Sequence, residues 1–146
     1  MTPLRVVLDT NLLVSYLLTQ GKTMTRIIDY WEKGDIIAVV SPAIIEELAE
    51  VVQRARLKQH MTVDPQVIIN LILSDAIQTR GDLGFPGASR DPKDDKFLTC
   101  AVEGAAIYIV TGDEDLLSLK EFQGVWIVRP FDFVNIIEGL KNTQEL

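Results

Sequence analysis

The stretch Leu4-Arg5-Val6-Val7-Leu8-Asp9-Thr10-Asn11 decides how the rest of the chain is read. Its apolar run is short, rich in valine and leucine, and stops abruptly at polar side chains, which predicts a buried strand over residues 4–8. Similar runs at Ile36–Val40, Ile107–Val110 and Val125–Val128 predict further strands of the same kind. Between them the spacing changes to that of helices. Asn11 to Leu18 fits one helix. Thr23 to Lys33 fits a second, with Met24, Ile27, Ile28 and Trp31 on one side and Gly34 as its stop. Ser41 before Pro42 supplies a hydroxyl cap and a first-turn proline, opening a helix expected to reach Arg56. Asp64-Pro65 repeats that signal for a helix expected to reach Gln78. Helices are also expected over Asp94–Glu103, Glu114–Lys120 and Phe131–Leu140, and Arg80 to Lys93, rich in glycine and proline, reads as a long loop. Strands alternating with helices predict a three-layer α/β/α sandwich around a central, mainly parallel sheet, formed as a single domain over residues 1–146.

Composition narrows the function classes. Hydrophobic residues make up 47% and charged residues 24% of the chain, as in ordinary globular proteins. Cys100 is the sole cysteine, which excludes an intrachain disulfide, and its place in an apolar helical pattern predicts a buried thiol. No secretory leader is legible and no apolar run reaches the ~18 residues of a membrane span. The cytoplasm is the expected compartment. The net charge of −7 argues against indiscriminate binding to phosphate backbones. Bases nevertheless cluster at Arg54, Arg56 and Lys58, and again at Arg90, Lys93 and Lys96.

The acids carry the chemistry. Asp9 follows the first strand, and Asp113 follows the run Ile107-Tyr108-Ile109-Val110-Thr111-Gly112. Ligands of open α/β sheets gather beyond the carboxyl ends of the strands. On the helix after Ser41, at about 100° per residue, Glu47 falls beside Val51 at the edge of the buried face, whereas Glu46 and Glu50 point to water. On the helix from Asp94, the same phase places Asp94 with Phe97, Leu98 and Ala101, and Asp95 at the border of that face. Carboxylates gathered in this way repel one another unless a cation lies among them, and hard oxygen ligands favour Mg²⁺ or Mn²⁺. Helix capping is the competing account for Asp9 and Asp94, a turn is the competing account for Asp113 and Asp115, and for Asp91 capping is the better one.

These motifs together resemble the PIN domain family of metal-dependent nucleases. The resemblance runs from Val6-Val7-Leu8-Asp9-Thr10-Asn11 through Ser41-Pro42 and Glu47-Leu48. It continues with Asp91-Pro92-Lys93-Asp94-Asp95-Lys96-Phe97-Leu98 and ends with Val110-Thr111-Gly112-Asp113-Glu114-Asp115-Leu116-Leu117. The last two motifs are similar to those of a bacterial and archaeal subgroup described as toxins of toxin–antitoxin pairs. The resemblance implies that Asp9, Glu47, Asp94 and Asp113 form a catalytic quartet binding one or two Mg²⁺ or Mn²⁺ ions. Asp95 and Asp115 would stand at neighbouring metal positions, Thr111 would line the site, and Asn11 would brace the turn around Asp9. Arg90, Lys93 and Lys96, or the cluster from Arg54 to Lys58, would steer an RNA backbone. An antitoxin protein is the partner the resemblance implies. A homodimer is expected from the sequence itself, with apolar surface on the helices around Thr23–Trp31 and Val67–Ile77, although a stripe that faces the core looks identical in sequence.

The sequence offers little competing machinery. There is a single histidine, no Gly-x-Ser-x-Gly elbow and no glycine-rich phosphate loop followed by lysine. A haloacid-dehalogenase-like phosphatase would want Asp where Asn11 stands, and a receiver domain would want a lysine near Arg129-Pro130. A PIN fold kept as a binding module for an antitoxin or nucleic acid remains the alternative from another class.

Overall fold

The computed structural model describes residues 2–145. Its core is a sheet of strands β1 (Leu4–Leu8), β2 (Ile36–Val40), β3 (Ala76–Gln78), β4 (Tyr108–Val110), β5 (Glu121–Phe122) and β6 (Val125–Val128), in the order β3-β2-β1-β4-β6-β5. All neighbours run parallel except β5, which returns antiparallel on β6. Helices α1 (Thr10–Thr19), α2 (Lys22–Lys33), α3 (Pro42–Lys58), α4 (Gln66–Asp75), α5 (Asp95–Glu103), α6 (Glu114–Leu117) and α7 (Pro130–Glu145) cover it. Alternation within β1 shows the layers: Val6 and Leu8 enter one apolar cluster with α1, α2, α4 and α7, while Val7 enters the other with α5 and α6. Both clusters exclude water from the strands, so the expected α/β/α sandwich is what the chain forms.

The chain starts in the middle of this sheet. From β1 it builds outwards through β2 to β3, then crosses to the other side of β1 for β4 and β6. Strand order therefore reverses between β1 and β4. The crevice at such a switch point, beyond the strand ends, is where open α/β sheets bind ligands. Val6, Val7 and Leu8 pair with Tyr108, Ile109 and Val110, and this register puts Asp9 and Thr111 side by side.

Several element boundaries differ from the sequence expectations. The helix expected to reach Gln78 stops at Asp75, and Ala76 turns to an extended conformation (φ −121°, ψ 150°) to begin β3. Helical periodicity continues through Ala76 and Ile77, but tertiary bonding overrides it. Thr79 donates its backbone N–H to the Val40 carbonyl at 2.8 Å, and the Trp31 indole donates to the Asp75 carbonyl at 2.9 Å. The helix expected over Glu114–Lys120 ends at Leu117, because the chain folds back there as β5. The terminal helix is longer than expected, from Pro130 to Glu145. The helix expected from Asp94 begins one residue later, after a 3₁₀ turn over Pro92–Asp94.

The α2 stripe offered above as dimer surface lies in the core: Met24, Ile27, Ile28 and Trp31 are all buried. On α4, Ile68, Leu71 and Ile72 are buried too, but Ile69 and Leu73 remain exposed beside an apolar groove of about 350 Å³ between α3 and α4. Among the described residues no helix is long and apolar enough to cross a membrane.

Gly104 closes α5 at a tight crossing. A Cβ there would lie 2.2 Å from Val39 Cγ1, so only glycine lets the helix end pass β2. This crossing fixes the level of α5 against the sheet and, through it, the height of Asp94.

Candidate metal centre

Asp9 is the best-held acid. It lies one residue beyond β1, only 4% exposed. Oδ1 accepts the backbone N–H of Asn11 at 3.0 Å, which caps α1, and Oδ2 accepts the Thr111 hydroxyl at 2.6 Å. Thr111 is itself fully buried and accepts the backbone N–H of Asp113 at 3.0 Å. Asp113 in turn caps α6, with Oδ2 accepting from Leu116 N at 3.2 Å. A continuous chain of bonds thus ties the end of β1 to the segment after β4. Burial pushes the Asp9 carboxyl above its ordinary value. Thr111 and Asn11 pull it back, while Glu47 and Asp113 add to the rise.

Asp94 faces this pair from the 3₁₀ turn. Burial, the adjoining Asp113 carboxylate, and then the charges of Asp91 and Asp9 push its carboxyl up to about 8. Its Oδ2 is buried without a hydrogen-bond partner. A buried carboxylate oxygen with no donor is costly, and like charges around it increase the cost. The Thr10 hydroxyl, next to Asp9, is also buried without a partner.

Among the described residues, the carboxylate oxygens that close as a set of three within 4.8 Å of one another belong to Asp91, Asp94 and Asp115. Capping was the better reading of Asp91 from the sequence. It does cap, accepting from Lys93 N at 3.0 Å, and it also contributes a carboxylate oxygen to this set. Asp115 is held by Arg90, whose Nε lies 3.1 Å from Oδ1, and Arg90 also donates to the Glu114 carbonyl at 3.3 Å.

The other candidate residues occupy distinct places. Glu47 is half-buried while Glu46 and Glu50 are exposed, as helical phase indicated. Its charge reaches Asp9, but its Oε1 bonds the Lys96 ammonium at 3.1 Å. Lys96 also donates to the Lys93 carbonyl and lies 4.8 Å above the Phe97 ring. It is thus tied to the rim of the acidic pocket, whereas Lys93 is exposed. Asp95 lies outside that set of three, and its Oδ1 accepts the Ser89 N–H at 3.0 Å, fastening the preceding loop to α5. Asn11 contributes through its backbone, with its side chain exposed. Cys100 is buried, and burial pushes its thiol up to about 11, so it offers no nucleophile.

The fold and this carboxylate pocket define a class, an α/β domain whose acids converge at the switch point of a parallel sheet. Comparison with known sequences is specific. A sequence model of the PIN domain matches residues 5–115, and the chain belongs to that family. It is 29% identical over 120 residues to the uncharacterized protein MJ1680 of Methanocaldococcus jannaschii, covering 81% of this chain and 76% of that one. Among solved structures it resembles VapBC2 from Rickettsia felis bound to a DNA fragment from their promoter. That likeness has a TM-score of 0.58 and 15% identity, over 86% of this chain and 98% of the other. PIN domains are in general metal-dependent nucleases.

Proposed function

We propose that this protein is a Mg²⁺- or Mn²⁺-dependent endoribonuclease, the toxin of a toxin–antitoxin pair. The observation that carries the metal reading is Asp94. Its unpartnered buried oxygen lies among acids that hold its proton on to about pH 8. A hard divalent cation satisfies that oxygen and the surrounding charge together, and the donors are all oxygens, as such ions prefer. Asp9, Glu47, Asp94 and Asp113 would hold the ion. Asp91 and Asp115 stand near enough to Asp94 to share it, while one oxygen of Asp95 is already taken by Ser89.

A bound ion would neutralise charge on the phosphodiester and lower the pKa of the attacking water. The chain's own residues do the rest. Thr111 fixes the rotamer of Asp9 and the position of Asp113, so the carboxylates are set before any ligand arrives. Lys96, Lys93 and Arg90 border the acids and would hold the phosphates of the RNA. The toxin assignment rests on the motif resemblance and is supported by the likeness to the Rickettsia protein. An antitoxin and a second copy of the chain are its expected partners, and the exposed Ile69 and Leu73 offer them apolar contact.

The test is cleavage of a mixed RNA pool by purified protein with Mn²⁺, with Mg²⁺ and with chelator. Cleavage should require the metal and disappear in Asp9→Asn. Cleavage that survives both chelation and that substitution would overturn the assignment, and no cleavage under any condition would leave a binding module.

A further inference from the structure

The segment between β3 and the Asp94 turn is held by side chains rather than by a backbone ladder. Among the described residues, the backbone–backbone bond found over 80–90 is internal, from the Ala88 N–H to the Phe85 carbonyl at 3.1 Å. Glu103, the last residue of α5, accepts the N–H of Gly81 through Oε1 at 2.7 Å and that of Leu83 through Oε2 at 2.8 Å. Gly81 is left-handed there (φ 79°), a backbone state that glycine adopts freely. The N–H groups of Leu83, then Gly81 and Asp82, hold the Glu103 carboxyl below its ordinary value. Phe85 packs edge-on against Phe122 of β5, with ring centres 5.2 Å apart. At the other end of α5, Asp95 accepts the N–H of the buried Ser89, whose Oγ accepts that of Asp91 at 3.4 Å. Arg90 and Asp91 then reach the acids. The segment thus runs back along α5, from its last residue to its first. Those two anchors, Glu103 and Asp95, lie roughly 12 Å apart along the helix axis. From Leu83 to Ser89 the path, shortened by the turn at Phe85–Ala88, reaches roughly 17 Å at full stretch. Little slack remains, so a shift at one end is felt at the other.

We infer that residues 80–91 form a strap that sets Arg90 and Asp91 at the acidic pocket, and that Glu103 is its positioning residue. The pocket role rests on the metal reading above, whereas the mechanical coupling along the strap does not. Glu103 stands at the opposite end of α5 from Asp94, so it acts on the acids through the strap. Its two acceptor oxygens replace the ladder that a strand would have used. Without them the chain from Arg80 to Phe85 is free, and the short path beyond the turn no longer pulls Asp91 to one place. A staple that serves its own corner of the fold is the competing account.

The test is amide hydrogen exchange together with Mn²⁺ titration, on the native protein, Glu103→Ala and Glu103→Gln. Alanine removes both acceptors, whereas the amide keeps one carbonyl oxygen. The strap predicts that Glu103→Ala speeds exchange at least about tenfold at 81–83 and also at 88–91, with Glu103→Gln in between. Mn²⁺ affinity should fall about three- to tenfold, because a misplaced Asp91 outweighs any gain from loosening the exposed Arg90–Asp115 pair. In an Asp91→Asn background the same substitution should change that affinity by less than about twofold. Faster exchange confined to 81–83 would overturn the strap and leave a local staple. Unchanged Mn²⁺ affinity in Glu103→Ala would overturn the positioning role, as would an undiminished effect in the Asp91→Asn background. Native protein that binds no Mn²⁺ would defeat the metal reading instead. Exchange at 88–91 then decides the strap by itself, kept if it rises in Glu103→Ala and overturned if it does not.

Discussion

Asp9 and Asp113 form one side of the pocket, Asp94 and Glu47 the other, and the two sides are held by different forces. On the first side every carboxylate serves the fold. Asp9 and Asp113 cap α1 and α6, and Thr111 bonds both. On the second side Asp94 keeps an oxygen without a partner, and Glu47 leans on a lysine. The first side is built by folding itself. The second is electrostatically incomplete by itself, which is what the proposed metal site requires.

Substitutions should separate the two sides. Asp9→Asn should have the largest effect on activity, since it removes a proposed ligand while the amide still caps α1. RNA cleavage should fall more than about a hundredfold, beyond the usual cost of losing a supporting group. The melting temperature should change little. If cleavage fell only slightly, the first side would be structural alone.

Thr111→Val preserves shape and removes the bridge. The Asp9 oxygen and the Asp113 N–H would lose their buried partner at a cost of about 1–3 kcal/mol. Activity should fall about 10- to 100-fold through lost positioning. Denaturant unfolding and cleavage rates on the same preparation would show both effects together.

Asp94→Asn should act in the opposite sense on stability. The Asp94 carboxyl is raised from its ordinary 3.8 to about 8, so between those values the native protein holds a proton that the unfolded chain has released. Stability of the metal-free protein should therefore fall as pH rises from about 4 to about 8. The asparagine variant should flatten much of that slope and melt a few degrees higher at neutral pH in chelator. A slope unchanged by the substitution would place the strain elsewhere.

Much of this comparison was legible in the sequence, and unevenly so. Asp9 and Asp113 stand out because each ends an apolar run, and Glu47 separates from Glu46 and Glu50 by helical phase alone. Asp91 was hidden because a residue before proline at a helix start is explained completely by capping, and nothing local shows its carboxylate close to those of Asp94 and Asp115. The role of Lys96 was hidden for a related reason. Its bond to Glu47 joins α5 to α3, and a sequence pattern does not show how close two helices come. Strand β3 escaped because Ala76 and Ile77 continue the helical period. Its pairing with β2 is a tertiary choice.

Lys96→Met should give the smallest change. Removing a cation that competes for Glu47 should tighten Mn²⁺ binding by no more than about fivefold, in line with a partly exposed ion pair worth at most about 1 kcal/mol. Weaker RNA binding in the same variant would show that the lysine also meets phosphate.

The most direct measurement is a Mn²⁺ titration followed by the electron paramagnetic resonance signal of the free ion, comparing the native protein with Asp94→Asn. Saturable binding by the native protein, weakening as pH drops below about 8 and at least about tenfold weaker in the variant, is the predicted result. Equal binding by the two proteins, or no saturable binding by either, would contradict the account.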